Sequence, residues 1–160
     1  MGDSAEDRAK AAKLPEGDLV RILLEQHAAV KDLFADIEAA SGAKRATLFE
    51  QLVAMLKAHE TAEEAVVRPV AAQTAGEDEA AERNAEEAEA DAAVAALLEL
   101  DVDSAEFAER FVAFKEAVDA HAEAEETEEF STLQSQLDAA KLQDLGQEFL
   151  EKFAAAGGVG

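Results

Sequence analysis

The sequence predicts an all-α fold, an up-down-up-down four-helix bundle with an additional C-terminal helix, and three observations predict it. Alanine, leucine, glutamate and lysine, all good helix formers, are abundant, while β-branched residues are sparse. Only two prolines, Pro15 and Pro69, interrupt the chain. Apolar residues recur at alternating spacings of three and four through long stretches parted by short turn signals, the pattern of amphipathic helices packed as neighbours. At 160 residues the chain suits one domain with a substantial core.

Residues 1–14 read as a polar N-terminal tail with some helical character, residues 15–137 as the bundle, and residues 138–160 as the C-terminal helix with a frayed end. The first long helix is expected over residues 18–40. Asp18 suits an N-cap, Leu23, His27, Val30, Phe34 and Ile37 form the inward stripe, and Ser41-Gly42 ends it. The second, over residues 44–67, carries Leu48, Leu52, Leu56, His59, Glu63 and Val66 on one face, with Pro69 marking its end or a kink. A turn at Thr74-Ala75-Gly76 leads into the third, residues 77–100, acidic at its start and apolar at its end. Asp101 to Ser104 supply a break and a new cap. The fourth, residues 105–129, aligns Phe107, Phe111, Phe114, Val118, His121 and Glu125. The last amphipathic helix, residues 138–155, is expected to pack outside the bundle.

Charge and composition exclude several functions. The formal net charge is −23, from 37 acidic and 14 basic residues, a surface that repels nucleic acid and anionic membranes. With no cysteine there is no disulfide, thiolate site or iron–sulfur cluster. No apolar run approaches the roughly 18 residues of a membrane span, and residues 1–13 lack the apolar core of a signal peptide, so a cytoplasmic location is expected. No Gly-rich phosphate loop, serine elbow or His-Glu-x-x-His spacing is present.

A repeat exposes the candidate site. With the histidines of the second and fourth helices superposed, Phe49 matches Phe111, Leu52 matches Phe114, Leu56 matches Val118, and Glu63-Glu64 matches Glu125-Glu126. Each helix thus holds Phe, nine residues, then His-x-x-x-Glu-Glu. The first and third helices pair more loosely, which sets His27 opposite Glu87. On a helix, residues four apart share a face, so His59 with Glu63, and His121 with Glu125, can each converge on one point. All four continue apolar stripes, and charged residues are seldom buried unless paired or bound to metal. A single His-x-x-x-Glu is commonly a surface pair, and a lone inward histidine is commonly a hydrogen-bonded core residue. Here all three histidines of the chain continue inward stripes, two of them in duplicated motifs. On the third helix an acidic run is ordinarily a solvated face. Glu87 is selected there by stripe spacing, with Asp91, Glu86 and Glu89 as the other candidates.

The order His27, then His59-Glu60-Thr61-Ala62-Glu63-Glu64, then a third-helix ligand, then His121-Ala122-Glu123-Ala124-Glu125-Glu126 resembles the hemerythrin-like (HHE cation-binding) family. The resemblance implies a four-helix bundle holding two iron ions bridged by carboxylates and an oxo or hydroxo group. His27, His59 and His121 would be terminal ligands, and Glu63 and Glu125 would bridge. The family usually places one or two histidines on the third helix, where this chain has Asn84 and Glu87. A set of three imidazoles and three carboxylates is oxygen-rich, which favours the higher iron oxidation states and makes manganese possible. The absence of tyrosine and tryptophan excludes a tyrosyl radical, while Phe34, Phe111 and Phe114 are expected to wall the site for a small uncharged ligand.

The sequence supports three readings. The first is a non-haem di-iron protein that binds or reacts with dioxygen, nitric oxide or peroxide. The second is a di-iron or manganese oxidase or peroxide-consuming enzyme of ferritin-like chemistry. The third is a metal-free helical interaction protein with its histidines packed in the core.

Overall fold

The computed structural model describes residues 3–158, and among them every regular element is helical. The elements are α1 (Ser4–Ala12), α2 (Leu19–Ala39), α3 (Gly42–Ala62), α4 (Arg68–Thr74), α5 (Glu77–Leu98), α6 (Ala105–Ala124), α7 (Ser131–Gln136) and α8 (Ala139–Ala155). Side-chain caps start several of them. Asp18 accepts from the Val20 and Arg21 amides, Ser104 from Phe107, and Asp138 from Lys141, each satisfying a donor that the first helical turn would leave open. Gly76, at φ 110°, makes the turn from α4 into α5 in a conformation that L side chains rarely adopt. Among the described residues no helix is long and apolar enough to cross a membrane.

Two helices run past their expected ends through π turns. Glu63–Val67 joins α3 to α4, and Glu125–Phe130 joins α6 to α7. Pro69 therefore does not end its helix. It sits in the first turn of α4, where the wider π turn before it relieves the clash and missing donor that a proline imposes on a regular helix. No proline lies in or just after the second π turn, so proline is not the common cause. Both begin at the glutamate of a His-x-x-x-Glu motif.

The core is divided by the site. One apolar cluster gathers Leu19, Leu23 and Leu24 of α2, Ala58 and Ala62 of α3, Val66 and Val67, Phe130, Leu133, and Leu145, Phe149 and Phe153 of α8. A second gathers Val30, Phe34 and Ile37 of α2, Phe49, Leu52 and Leu56 of α3, Leu97 of α5, and Phe107, Phe111 and Phe114 of α6. On α2 the break between the clusters falls at His27, on α3 between Leu56 and Ala58, just before His59, and on α6 beyond Phe114, with His121 further along and Glu125 opening the π turn. A polar layer thus lies between two apolar ones.

Both chain ends are more engaged than their composition suggests. Within the expected polar tail, α1 packs on α2 and buries Asp7 and Ala11. The C-terminal helix does not lie outside the core. α8 packs against α2, α3 and the first π turn, with Leu145, Phe149 and Phe153 in the same apolar cluster as Leu19 and Leu23. The frayed end falls partly on residues 159–160, outside the described residues. Before them, Gly157 at φ 93° and the Gly158 amide, donating to the Phe153 carbonyl at 2.9 Å, cap α8.

The close approach of α8 depends on Gly146. A Cβ there would stand 1.9 Å from the Gly17 carbonyl oxygen, a backbone atom that cannot swing aside. Gly146→Ala is therefore expected to destabilise the protein by about 1–3 kcal/mol, the usual cost of overpacking. Denaturant unfolding of the variant checks this, and an unchanged midpoint would contradict it.

Candidate metal centre

The six residues singled out by the sequence come together. Ligand-capable atoms of His27, His59, Glu63 and Glu125 lie within 4.8 Å of one another, and those of Glu63, Glu87 and His121 form a second such group that shares Glu63. Glu63, Glu87 and Glu125 are at most 2% exposed, and His27 and His59 are 5% exposed.

Each imidazole is held from behind. His27 Nδ1 lies 2.9 Å from Glu126 Oε2, His59 Nδ1 lies 2.7 Å from the Gln26 side-chain oxygen, and His121 Nδ1 lies 2.8 Å from Glu86 Oε1. Carboxylate and amide oxygens only accept, so each Nδ1 donates and each Nε2 faces inward. His27 Nε2 is 3.3 Å from Glu125 Oε1, His121 Nε2 is 3.3 Å from the same oxygen, and His59 Nε2 is 2.9 Å from Glu63 Oε1. These inner atoms approach without pairing. His27 Nε2, His121 Nε2, both Glu63 oxygens, Glu87 Oε1 and Glu125 Oε1 are buried and lack a hydrogen-bond partner. Buried polar atoms are ordinarily satisfied, and lone pairs converging on shared points with donors fixed behind them are the arrangement that holds a cation.

One participant was not anticipated. Arg68, 4% exposed, places Nη2 at 2.5 Å from Glu87 Oε2 and 3.1 Å from Glu125 Oε2, and Nη1 at 2.9 Å from Glu129 Oε2. Five residues beyond Glu63, it would lie on another side of a regular α-helix. The i→i+5 π turn brings it back over the cluster. Gln26 and Glu126 were likewise missed as supports, although Gln26 directly precedes His27 and the repeated second glutamate of the His-x-x-x-Glu-Glu motif was a usable signal for Glu126. Of the alternative third-helix ligands, Glu86 supports His121 from outside and Glu89 is exposed. Asp91 pairs with Glu60, whose carboxyl is raised to about 10 by burial and by that pairing. Glu87 alone of the four enters the cluster.

The aromatic wall differs from expectation in part. Phe114 lines the cavity beside the cluster, whereas Phe34 and Phe111 pack one layer further away. Phe130 stacks on His27 at 5.5 Å and Phe149 of α8 meets His59 edge-on at 6.1 Å. The cavity, about 220 Å³, is also lined by the apolar Val30, Leu56, Ala90 and Val118 and by Lys31, Glu60, Glu89 and Asp119.

Burial and crowding set the protonation states without a cation. Burial, with the Glu125 charge beside it, raises Glu63 well above the ordinary value. Burial also raises Glu87 to about 8 and Glu129 to about 7, although Arg68 opposes both shifts. Burial acts to lower His27, but the facing carboxylates of Glu125 and Glu126 prevail and raise it to about 9. Burial and the neighbouring His27 charge lower His59 to about 3.

The chain has counterparts among known proteins. The Hemerythrin HHE cation binding domain profile matches residues 18–133. The crystal structure of a hemerythrin HHE cation binding domain-containing protein from Mycobacterium kansasii is similar in fold, with a TM-score of 0.79 and 22% identity, covering 87% of this chain and 86% of that one. No curated protein matches the chain.

The metal-free protein should depend on pH. The folded form keeps protons on Glu87, Glu129 and His27 that the unfolded chain releases earlier, so their stabilisation is lost as pH rises through the folded values. From pH 6.5 to 9 all three act in one direction, and His59 is largely neutral in both states above its ordinary 6.5. The metal-free melting temperature is expected to fall across that window, measured by circular dichroism. A flat or rising profile would count against these assignments.

Proposed function

Because the chain belongs to the hemerythrin HHE cation-binding domain family, we propose that its buried His/Glu cluster holds two iron ions and brings them against a small oxidant, dioxygen, nitric oxide or peroxide. We read the long helical segments as an up-down-up-down bundle, with α8 closing one side and the cluster across the middle. The observation that carries the proposal is the inward set of unpaired lone pairs. Three imidazoles are fixed by outer hydrogen bonds at Nδ1, and their Nε2 atoms face carboxylate oxygens that satisfy nothing else.

Each residue has a role under this reading. His27, His59 and His121 supply neutral nitrogen donors, and their outer partners set the tautomer and hold the ring plane. Glu63, common to both ligand groups, and Glu125, whose Oε1 faces two histidines, would be the bridging carboxylates. Glu87 completes the second group. Bound there, the irons would supply one-electron redox chemistry toward the oxidant. The chain contributes a cavity in which Val30, Leu56, Phe114 and Val118 form an apolar wall suited to small uncharged molecules.

A second reading is favoured by one observation. The third helix contributes a buried carboxylate, Glu87, and no imidazole. Anionic oxygen donors stabilise higher oxidation states and also suit manganese, which fits turnover of peroxide or oxygen better than reversible carriage. On this reading peroxide consumption by the loaded protein drops sharply in Glu87→Ala. Turnover equal to that of the parent would remove it.

Elemental analysis tests the first reading. Protein made with iron supplied is expected to hold close to two iron ions per chain and to show a visible absorption that changes on exposure to oxygen or peroxide. Glu63→Ala, which depletes both ligand groups, is expected to bring the content below one. Gln26→Ala, which only releases the back of His59, is expected to weaken binding by roughly 10–100-fold. A parent protein that binds far less than two ions, or that melts identically with and without a chelator, would leave the metal-free interaction protein as the better account.

A further inference from the structure

The two ligand groups are unequal, and Arg68 makes them so. In the group of His27, His59, Glu63 and Glu125, neither oxygen of Glu63 has a hydrogen-bond partner, and Glu125 presents its unpartnered Oε1 to the histidines while Oε2 takes the guanidinium. In the group of Glu63, Glu87 and His121, the Glu87 oxygen nearest His121, Oε2 at 3.7 Å from Nε2, is the one that receives Arg68 Nη2 at 2.5 Å. Nη2 also stands 3.9 Å from Glu63 Oε1. A fixed positive charge thus already sits where the second group would receive a cation, while the first group can fill with the arginine in place. A place to withdraw exists. Nη1 already donates to Glu129, a carboxylate outside both groups whose Oε1 is buried and unpartnered.

We propose that Arg68 is a built-in competitor for the second cation, so that the position formed by His27, His59, Glu63 and Glu125 fills first and the Glu87/His121 position fills only as the guanidinium moves toward Glu129. The inference rests on the two-cation reading of the cluster. Arg68 is a positioning residue here. It keeps the buried carboxylates neutralised before loading and sets the order of loading.

The test is a titration of the metal-free full-length chain with ferrous iron under anaerobic conditions, monitored by calorimetry and native mass spectrometry. At one equivalent the chain should carry mainly a single ion, and the second step should be weaker than the first by roughly tenfold or more, within the usual range for coupling between two sites. Arg68→Gln should strengthen the second step by a similar factor, change the first much less, and lower the melting temperature of the metal-free protein. Arg68→Lys, which retains the charge, should retain the gap. His121→Ala should remove the second step alone. A mixture of empty and doubly loaded chains at one equivalent overturns the proposal and needs no variant. So does an Arg68→Gln protein in which the second step weakens, or an Arg68→Lys protein whose gap is lost as in Gln. Failure of the parent to take up iron at all would instead defeat the two-cation reading beneath it.

Discussion

The structure is organised around a charge imbalance in a dry place. Glu63, Glu87, Glu125 and Glu129 are buried between two apolar clusters, and the only arginine or lysine side chain contacting them is that of Arg68 among the described residues. Isolated buried carboxylates are costly enough to take up protons or bind a counter-charge. Burial raises Glu63, Glu87 and Glu129, while Glu125, which burial would also raise, is brought well below its ordinary value by the facing His121 and His27. The cluster is therefore stable only with protons, a guanidinium or bound cations, and these compete for the same oxygens.

The backbone serves this competition. A regular helix repeats its inward face at three and four residues, which suffices to bring His59 over Glu63 and His121 over Glu125. It does not suffice to bring a fifth position back. The π turns at Glu63 and Glu125 re-aim the helical segments beyond them, so that Arg68 reaches the carboxylates after the first and Phe130 stacks on His27 at the end of the second. Such turns gather at functional sites because they give up regular hydrogen bonding for side-chain placement. The duplicated motif is thus symmetric in its ligands and asymmetric in the residues past them, a cation on one side and an aromatic ring on the other.

This explains which parts were legible in the sequence. His27, His59, Glu63, His121 and Glu125 obey α-helical spacing and a visible repeat, and Glu87 emerges from stripe spacing once the third helix is aligned with the first. All six converge. Arg68 was illegible because its placement depends on a change of helical period that no local pattern announces, and because the neighbouring proline reads as a helix stop. The packing of α1 and α8 was hidden for a different reason. Asp7 looks like a solvated charge, yet it is buried against Lys31 at 2.5 Å. Likewise α8 is amphipathic, and an amphipathic helix does not declare which surface it covers. Its contact through Gly146 with the turn at Gly17 depends on distant parts of the chain meeting.

The outer contacts link the ends of the chain to the middle. Glu126, which orients His27, is 3.6 Å from Lys10 of α1, and Phe149 of α8 packs on the ring of His59. The two histidines of the first ligand group are therefore held by elements at opposite chain termini, whereas His121 is held by Glu86 on the neighbouring α5 and is the most exposed of the three, its side chain 15% accessible against 4% and 6% for His27 and His59. Burial of the imidazoles thus falls off from the first group toward the second. On the two-cation reading, an ion at the first group would gain from a preformed set of donors, while one at the second would have to draw Glu87 away from Arg68 next to a less buried imidazole. Packing and charge thus rank the two positions in the same order, although they arise from different parts of the chain.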